Sequence, residues 1–133
     1  MPYSVKKLSA DVVEVAYDGV VSEADTTGAT NECVRLQRQF SILRFLVVMA
    51  DDVQVQMQPD HVREVAGTGY KRLELPRSTR IAVIEPNSGS ARRFVEAYEQ
   101  ACRKGGWNVC VCPDRRRALE WLRESGKSPT GRG

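Results

Sequence analysis

The stretch RIAVIEPNSGSARRFVEAYEQACRKGGWNVCVC, residues 80–112, decides the fold. Its first segment, Ile81-Ala82-Val83-Ile84, is short and uniformly apolar, the pattern of a strand buried on both faces. The period then changes. Ala91, Phe94, Val95, Tyr98, Ala101 and Cys102 recur at three and four residues, which lays one apolar stripe along a helix. Gly105-Gly106 stops that helix, since glycine takes the left-handed backbone of a helix end without a Cβ clash. Trp107 to Cys112 reads as a second strand. Trp107, Val109 and Val111 fall on the side expected to carry the helix, and Asn108, Cys110 and Cys112 on the other. Pro113-Asp114 opens a last helix with Ala118, Leu119, Trp121 and Leu122 as its packing face. A strand, a crossover helix and a second strand make a parallel α/β unit.

Working outward to the front of the chain, Tyr3 to Leu8 and Val12 to Tyr17 are strands joined by Ser9-Ala10-Asp11, a turn short enough to demand an antiparallel hairpin. Ser22-Glu23-Ala24-Asp25 is a helix start, with a serine cap and acids facing the positive end of the helix dipole. Ala29, Cys33, Leu36 and Phe40 mark its expected buried side. Phe45 to Ala50 is apolar on both faces, which predicts a central strand ended by Asp51-Asp52. Val53 to Gln58 alternates strictly, which suits either an edge strand or an extended loop. Pro59 at a first helical position, followed by Val62, Val65 and Ala66, predicts a short helix ending near Gly67 to Gly69. Residues 1–126 are therefore expected to form one domain, with Lys127 to Gly133 as a disordered polar tail.

Composition agrees with one domain: 133 residues with 41% hydrophobic content supply one core. The balance of 20 Lys+Arg against 17 Asp+Glu leaves +3, too little to predict a nucleic-acid or membrane partner. Met1 to Lys7 runs into a charged strand with no apolar targeting segment, and no apolar run reaches spanning length, so a cytoplasmic protein is expected. Cys33, Cys102, Cys110 and Cys112 lie inside predicted elements, unlike a disulfide framework in loops, and fit that compartment.

The run Val15-Ala16-Tyr17-Asp18-Gly19-Val20-Val21-Ser22-Glu23 resembles the start of STAS-type domains. Leu46-Val47-Val48-Met49-Ala50-Asp51, the strand and helix from Arg80 to Cys102, and the closing Ala118-Leu119-Glu120-Trp121-Leu122 are similar to the SpoIIAA-like group of bacterial proteins. The resemblance covers roughly residues 3 to 123. It implies a single-domain α/β fold: a mixed, mostly parallel sheet of about five strands with an N-terminal antiparallel hairpin, and about four helices mainly against one face. It also implies a non-enzymatic role in binding a protein or a small ligand. Members of that family switched by phosphorylation place a serine directly after the third strand, whereas Asp51-Asp52-Val53-Gln54 stands here without a hydroxyl. Two carboxylates do not reproduce the geometry of one phosphate, so the switch is not carried over.

Asn87-Ser88-Gly89-Ser90 lies between a parallel strand and a helix, where free amides and the helix dipole suit an anion, and Arg92 and Arg93 add charge. The same residues are ordinary helix caps, and the string matches neither the Walker pattern nor the dinucleotide fingerprint. Asp51 and Asp52 stand at the carboxyl end of a central strand, where α/β sheets bind ligands. A magnesium site of the receiver type needs a further acidic pair and a Lys-Pro that this chain lacks. Cys110 and Cys112 have too few helpers for a metal centre, and the single His61 has no recognisable nucleophile, which makes it a surface histidine. Arg115-Arg116-Arg117 crowds the first turn of the last helix, where positive charge is unfavourable, and reads as a solvated face.

The function expected is a binding or regulatory module without catalysis, using no cofactor and no metal. Its partner is an unidentified protein or small ligand, with a homodimer through the open sheet edges and no nucleic acid or membrane. Asn87, Ser88, Gly89, Ser90, Asp51 and Asp52 are its candidate anion- or ligand-binding residues. Two other readings stay open: a carrier of a small lipid-like or anionic ligand, because SpoIIAA-like domains resemble some lipid-binding folds, and an enzyme using the loop from Asn87 to Ser90.

Overall fold

The computed structural model describes residues 2–87 and 89–124. Tyr3–Lys7 (β1) and Val12–Tyr17 (β2) form the expected antiparallel hairpin, with Val5 opposite Val15. Arg44–Met49 (β4), Arg80–Ile84 (β6) and Asn108–Cys112 (β7) then add in parallel, giving one sheet of order β1-β2-β4-β6-β7. From β2 each new strand is laid on the same side of the last, and β4 is central, as its two-faced apolar pattern requires.

Three helical segments cover one face. Glu23–Phe40 (α1) starts on Ser22, whose Oγ accepts from the Asp25 amide at 3.3 Å while Asp25 accepts from the Ser22 amide at 2.9 Å, a reciprocal cap. Pro59–Glu64 (α2) carries proline where its missing amide costs nothing. Gly89–Lys104 (α4) bridges β6 and β7. Leu36, Val95 and Cys102 from α1 and α4, with Ala66 and Tyr70 just beyond α2, pack on Val13, Phe45, Ile81, Val83 and Val109 of the sheet. Arg115–Arg123 (α5), capped by Asp114 accepting from the Arg117 amide at 2.9 Å, covers the opposite face. There Ala118, Trp121 and Leu122 meet Val12, Leu46, Ala82 and Cys112. The division of the last strand holds, with Trp107 and Val109 on the three-helix side and Cys112 beneath α5.

Two details depart from expectation, one open alternative is resolved, and one expectation falls on residues that are not described. The alternating segment is a strand, Gln54–Gln56 (β5), paired in parallel with Val20–Ser22 (β3) in a separate two-stranded sheet. The glycines do not end the second helix: Val65–Gly69 is a single wide π turn that leads into Tyr70–Arg72 (α3), and the chain leaves the helix at Glu74 with φ 59°. Phe40 is not in the core but 42% exposed, with the Lys7 ammonium 4.0 Å from its ring centroid. Lys127 to Gly133, the predicted disordered tail, lies outside the described residues.

Candidate functional site

The carboxyl ends of β4 and β6 meet in an exposed polar corner. Ala50 donates to the Tyr17 carbonyl at 2.9 Å, and Val53 turns back to the Ala50 carbonyl at 3.1 Å, which holds Asp51 and Asp52 in a tight exposed turn. Gln54 then donates to the Gly19 carbonyl at 2.8 Å and starts β5. Asn87, on the loop after β6, donates through Nδ2 to Asp51 Oδ1 at 2.9 Å. A shallow depression lined by Asp51 to Gln56 and by Ser90 runs beside this contact. Glu85 holds Arg92 at 2.8 Å. The structure thus brings Asp51, Asp52, Asn87, Gly89 and Ser90 to one end of the sheet, while Ser88 lies outside the described residues. Asp51 and Asp52 bring two exposed carboxylates to this corner, Glu85 and Arg92 pair with each other, and the exposed Arg93 adds one positive charge.

Beneath α1, α2, α3 and α4 lies an apolar cavity of about 90 Å³. Val15, Tyr17, Ala29, Cys33, Phe45, Val47, Met57, Tyr70, Phe94 and Tyr98 are among its walls. Tyr70 and Tyr98 share a hydrogen bond of 2.5 Å between their hydroxyls, and the Tyr70 ring meets Trp107 edge-on at 5.6 Å. Burial pushes the Tyr17, Tyr70 and Tyr98 hydroxyls well above the ordinary phenol range. It also pushes the Cys33 and Cys102 thiols up to about 12. Sequence reading did not find this cavity, because its walls are ordinary core residues and only their imperfect fit makes a void.

On the opposite face Cys112 donates its S–H to Cys110 Sγ at 3.5 Å. That hydrogen bond holds the Cys110 thiol below the ordinary thiol range against the opposing effect of burial, and raises Cys112. Among the described residues no group of three or more His, Cys, Asp or Glu is arranged to hold a metal ion.

The remaining singled-out residues have structural partners. Arg115 reaches across to Glu14 Oε2 at 2.6 Å, and Lys6 approaches the same carboxylate at 3.6 Å. Arg116 faces Glu120 at 3.8 Å and Arg117 faces Asp114 at 3.9 Å, so the basic run is paired, not merely solvated. His61 is not on the open surface. Its side chain is 21% exposed, Nδ1 lies 3.4 Å from Glu23, and Nε2 is buried without a partner among the described residues.

No family model matches this sequence. No curated protein matches it either. Among solved structures the chain is similar to the anti-sigma factor antagonist SpoIIAA in its unphosphorylated form, with a TM-score of 0.62 at 13% identity over 91% of this chain and 96% of that one. It is also similar to SpoIIAA, the Bacillus cell fate determinant, in its phosphorylated form, with a TM-score of 0.57 at 12% identity over 91% and 99% of the two chains. The likeness shows the fold, which is SpoIIAA-like. At this identity it transfers no residue's role.

Proposed function

We propose that this chain is a binding or regulatory module without chemistry of its own, and that it docks a protein through Asp51, Asp52, Asn87, Gly89 and Ser90. The observation that carries this reading is the 2.9 Å bond from Asn87 to Asp51, which ties the loops after two central strands into one exposed surface. Carboxyl ends of sheet strands are where α/β folds place their contacts. The excess of carboxylates suits a partner with a basic face. The fold supports the protein class of partner, since SpoIIAA is described as an antagonist of an anti-sigma factor.

The test compares the protein with Asp52→Lys, an exposed charge reversal that leaves the Asn87 bond in place, in quantitative capture from cell extract. A protein retained by the parent and reduced at least tenfold with the variant is the expected result. Turnover of esters, phosphates or nucleotides that Asp51→Asn abolishes would overturn the reading in favour of an enzyme at this loop.

The cavity favours a second reading, carriage of a small apolar ligand, and its volume bounds it. A void of roughly 150 Å³ holds benzene, so about 90 Å³ admits no lipid chain unless walls such as Met57 and Phe94 move aside. A native mass spectrum of protein purified without denaturant reads this point together with self-association. An added small mass supports carriage, a doubled mass supports a homodimer, and a bare monomer overturns both.

A further inference from the structure

Cys110 and Cys112 stand two residues apart on β7, so both thiols project from the same face of the sheet. Their sulfurs are 3.5 Å apart, joined by the Cys112 S–H. Cys112 is 4% exposed against α5, whereas Cys110 is only half-buried. β7 is an edge strand, with β6 on one side and no strand on the other among the described residues. We propose that Cys110 and Cys112 form a reversible oxidation site for hydrogen peroxide, with Cys110 attacking and Cys112 resolving to an intrachain disulfide.

The first step forms a bond from Cys110 sulfur to one peroxide oxygen and breaks the O–O bond. Hydroxide leaves and takes a proton to become water, and Cys110 becomes a sulfenic acid. Cys112 sulfur then attacks Cys110 sulfur, the S–O bond breaks, and the departing hydroxide combines with the Cys112 proton as a second water. Two thiols lose two electrons, and the peroxide is reduced to two waters.

Chemistry and geometry both single out this pair. The thiolate is the nucleophile, and the Cys112 hydrogen bond favours it on Cys110, whereas burial suppresses it on Cys33 and Cys102. Arg103 also favours the charged form, Glu99 and Glu124 oppose it, and Arg80 is the other cation coupled to this thiol. Asp114 opposes ionisation of Cys112. Two residues of strand separate the Cα atoms by about 6.6 Å, close to the upper end of about 6.8 Å found across disulfides. Closure therefore asks for a bend, which an edge strand accommodates, and a bridge closed near this limit is readily reduced.

The test treats the full chain with hydrogen peroxide at neutral pH and maps its thiols by mass spectrometry. The expected product is a Cys110–Cys112 bridge that dithiothreitol reverses. Cys110 should also be alkylated at least tenfold faster than Cys33 or Cys102 at pH 7. Cys112→Ser, whose hydroxyl can still donate to Cys110, should stop at a Cys110 sulfenic acid that dimedone labels, and Cys112→Ala, which lacks the donor, should give the same adduct more slowly. Oxidation spread evenly over all four cysteines, or Cys110 linked only between molecules, would overturn the proposal.

Discussion

Gly28 sits inside α1, where glycine costs about 1 kcal/mol against alanine, and its reason for being there is Tyr3. A Cβ at this position would stand 2.5 Å from the Tyr3 hydroxyl oxygen and 3.2 Å from Cζ. Gly28→Ala should therefore destabilise the parent chain, yet become neutral or stabilising by up to about 1 kcal/mol beside Tyr3→Phe, which removes the nearer atom. Urea denaturation of the four members of this cycle measures the coupling, and equal effects in both backgrounds would show that Tyr3 swings away freely. Residues of this kind also mark how far the sequence can be read. Ser22 is legible as a cap because its partner, Asp25, is three residues away. Glu14 is only half legible, because at 8% exposure it has Lys6 opposite it in the hairpin but its shorter contact is with Arg115, 101 residues further along. His61 is misread for the same reason, since its neighbour Glu23 comes from α1.

Among the elements, the unit from β6 to β7 was legible because helix and strand periods alternate there without ambiguity. The helix through Gly67 and Gly69 was not, because local propensity points to a stop while packing demands continuation. Val62, Ala66 and Tyr70 are spaced four apart and all buried, so the apolar stripe runs through the glycines, and Tyr70 was the overlooked signal. Strands β3 and β5 are three residues each, too short for periodicity to separate from loop, and only their mutual pairing defines them. The docking corner was partly legible: Asp51 and Asn87 were each singled out, but their contact spans 36 residues and depends on β4 lying beside β6. The attachment of α5 shows which forces hold an element. Arg44 donates to the Leu122 carbonyl at 2.7 Å, Arg80 reaches the Glu124 carbonyl and stacks on Trp121, and Arg115 pairs with Glu14. Arg115 is 46% exposed and Lys6 remains near Glu14, so Arg115→Ala should cost only about 1 kcal/mol. Leu122 is 0% exposed, and Leu122→Ala should cost about 2–4 kcal/mol through the lost contacts and the cavity left behind. Denaturant midpoints of the two variants check this ranking, and the reverse order would mean that charge, not packing, fixes α5.

For the molecule as a whole, the edge of the sheet and its three-helix face hold their titratable groups differently. The β1 edge carries exposed Lys6 and Lys7, which discourage strand addition there. The three-helix side instead holds its titratable groups inside: Cys33, Cys102, Tyr17, Tyr70 and Tyr98, all raised chiefly by burial. A raised acid keeps its proton in the folded chain at a pH where the unfolded chain has released it. The unfolded state then binds fewer protons, and stability falls as pH rises. Below the unfolded thiol value of about 8.5 these groups leave stability unaffected by pH. Between there and about pH 10 the two thiols together should lower it by about 2.7 kcal/mol for each pH unit, since each proton contributes about 1.4. Above about 10 the tyrosines steepen the fall, because unfolded phenols then ionise while the buried ones do not. Under reducing conditions, in a Cys110→Ser/Cys112→Ser background that removes the two thiols shifted in opposite directions on the other face, urea midpoints taken from pH 7 to 10.5 should be flat to about 8.5 and drop beyond it. Adding Cys33→Ala/Cys102→Ala to that background should abolish the first part of the drop while the tyrosine part remains. A background profile that stays level to pH 10 would mean that Cys33 and Cys102 already meet solvent in the folded chain, and that the helices over this face do not close on the sheet as tightly as their packing requires.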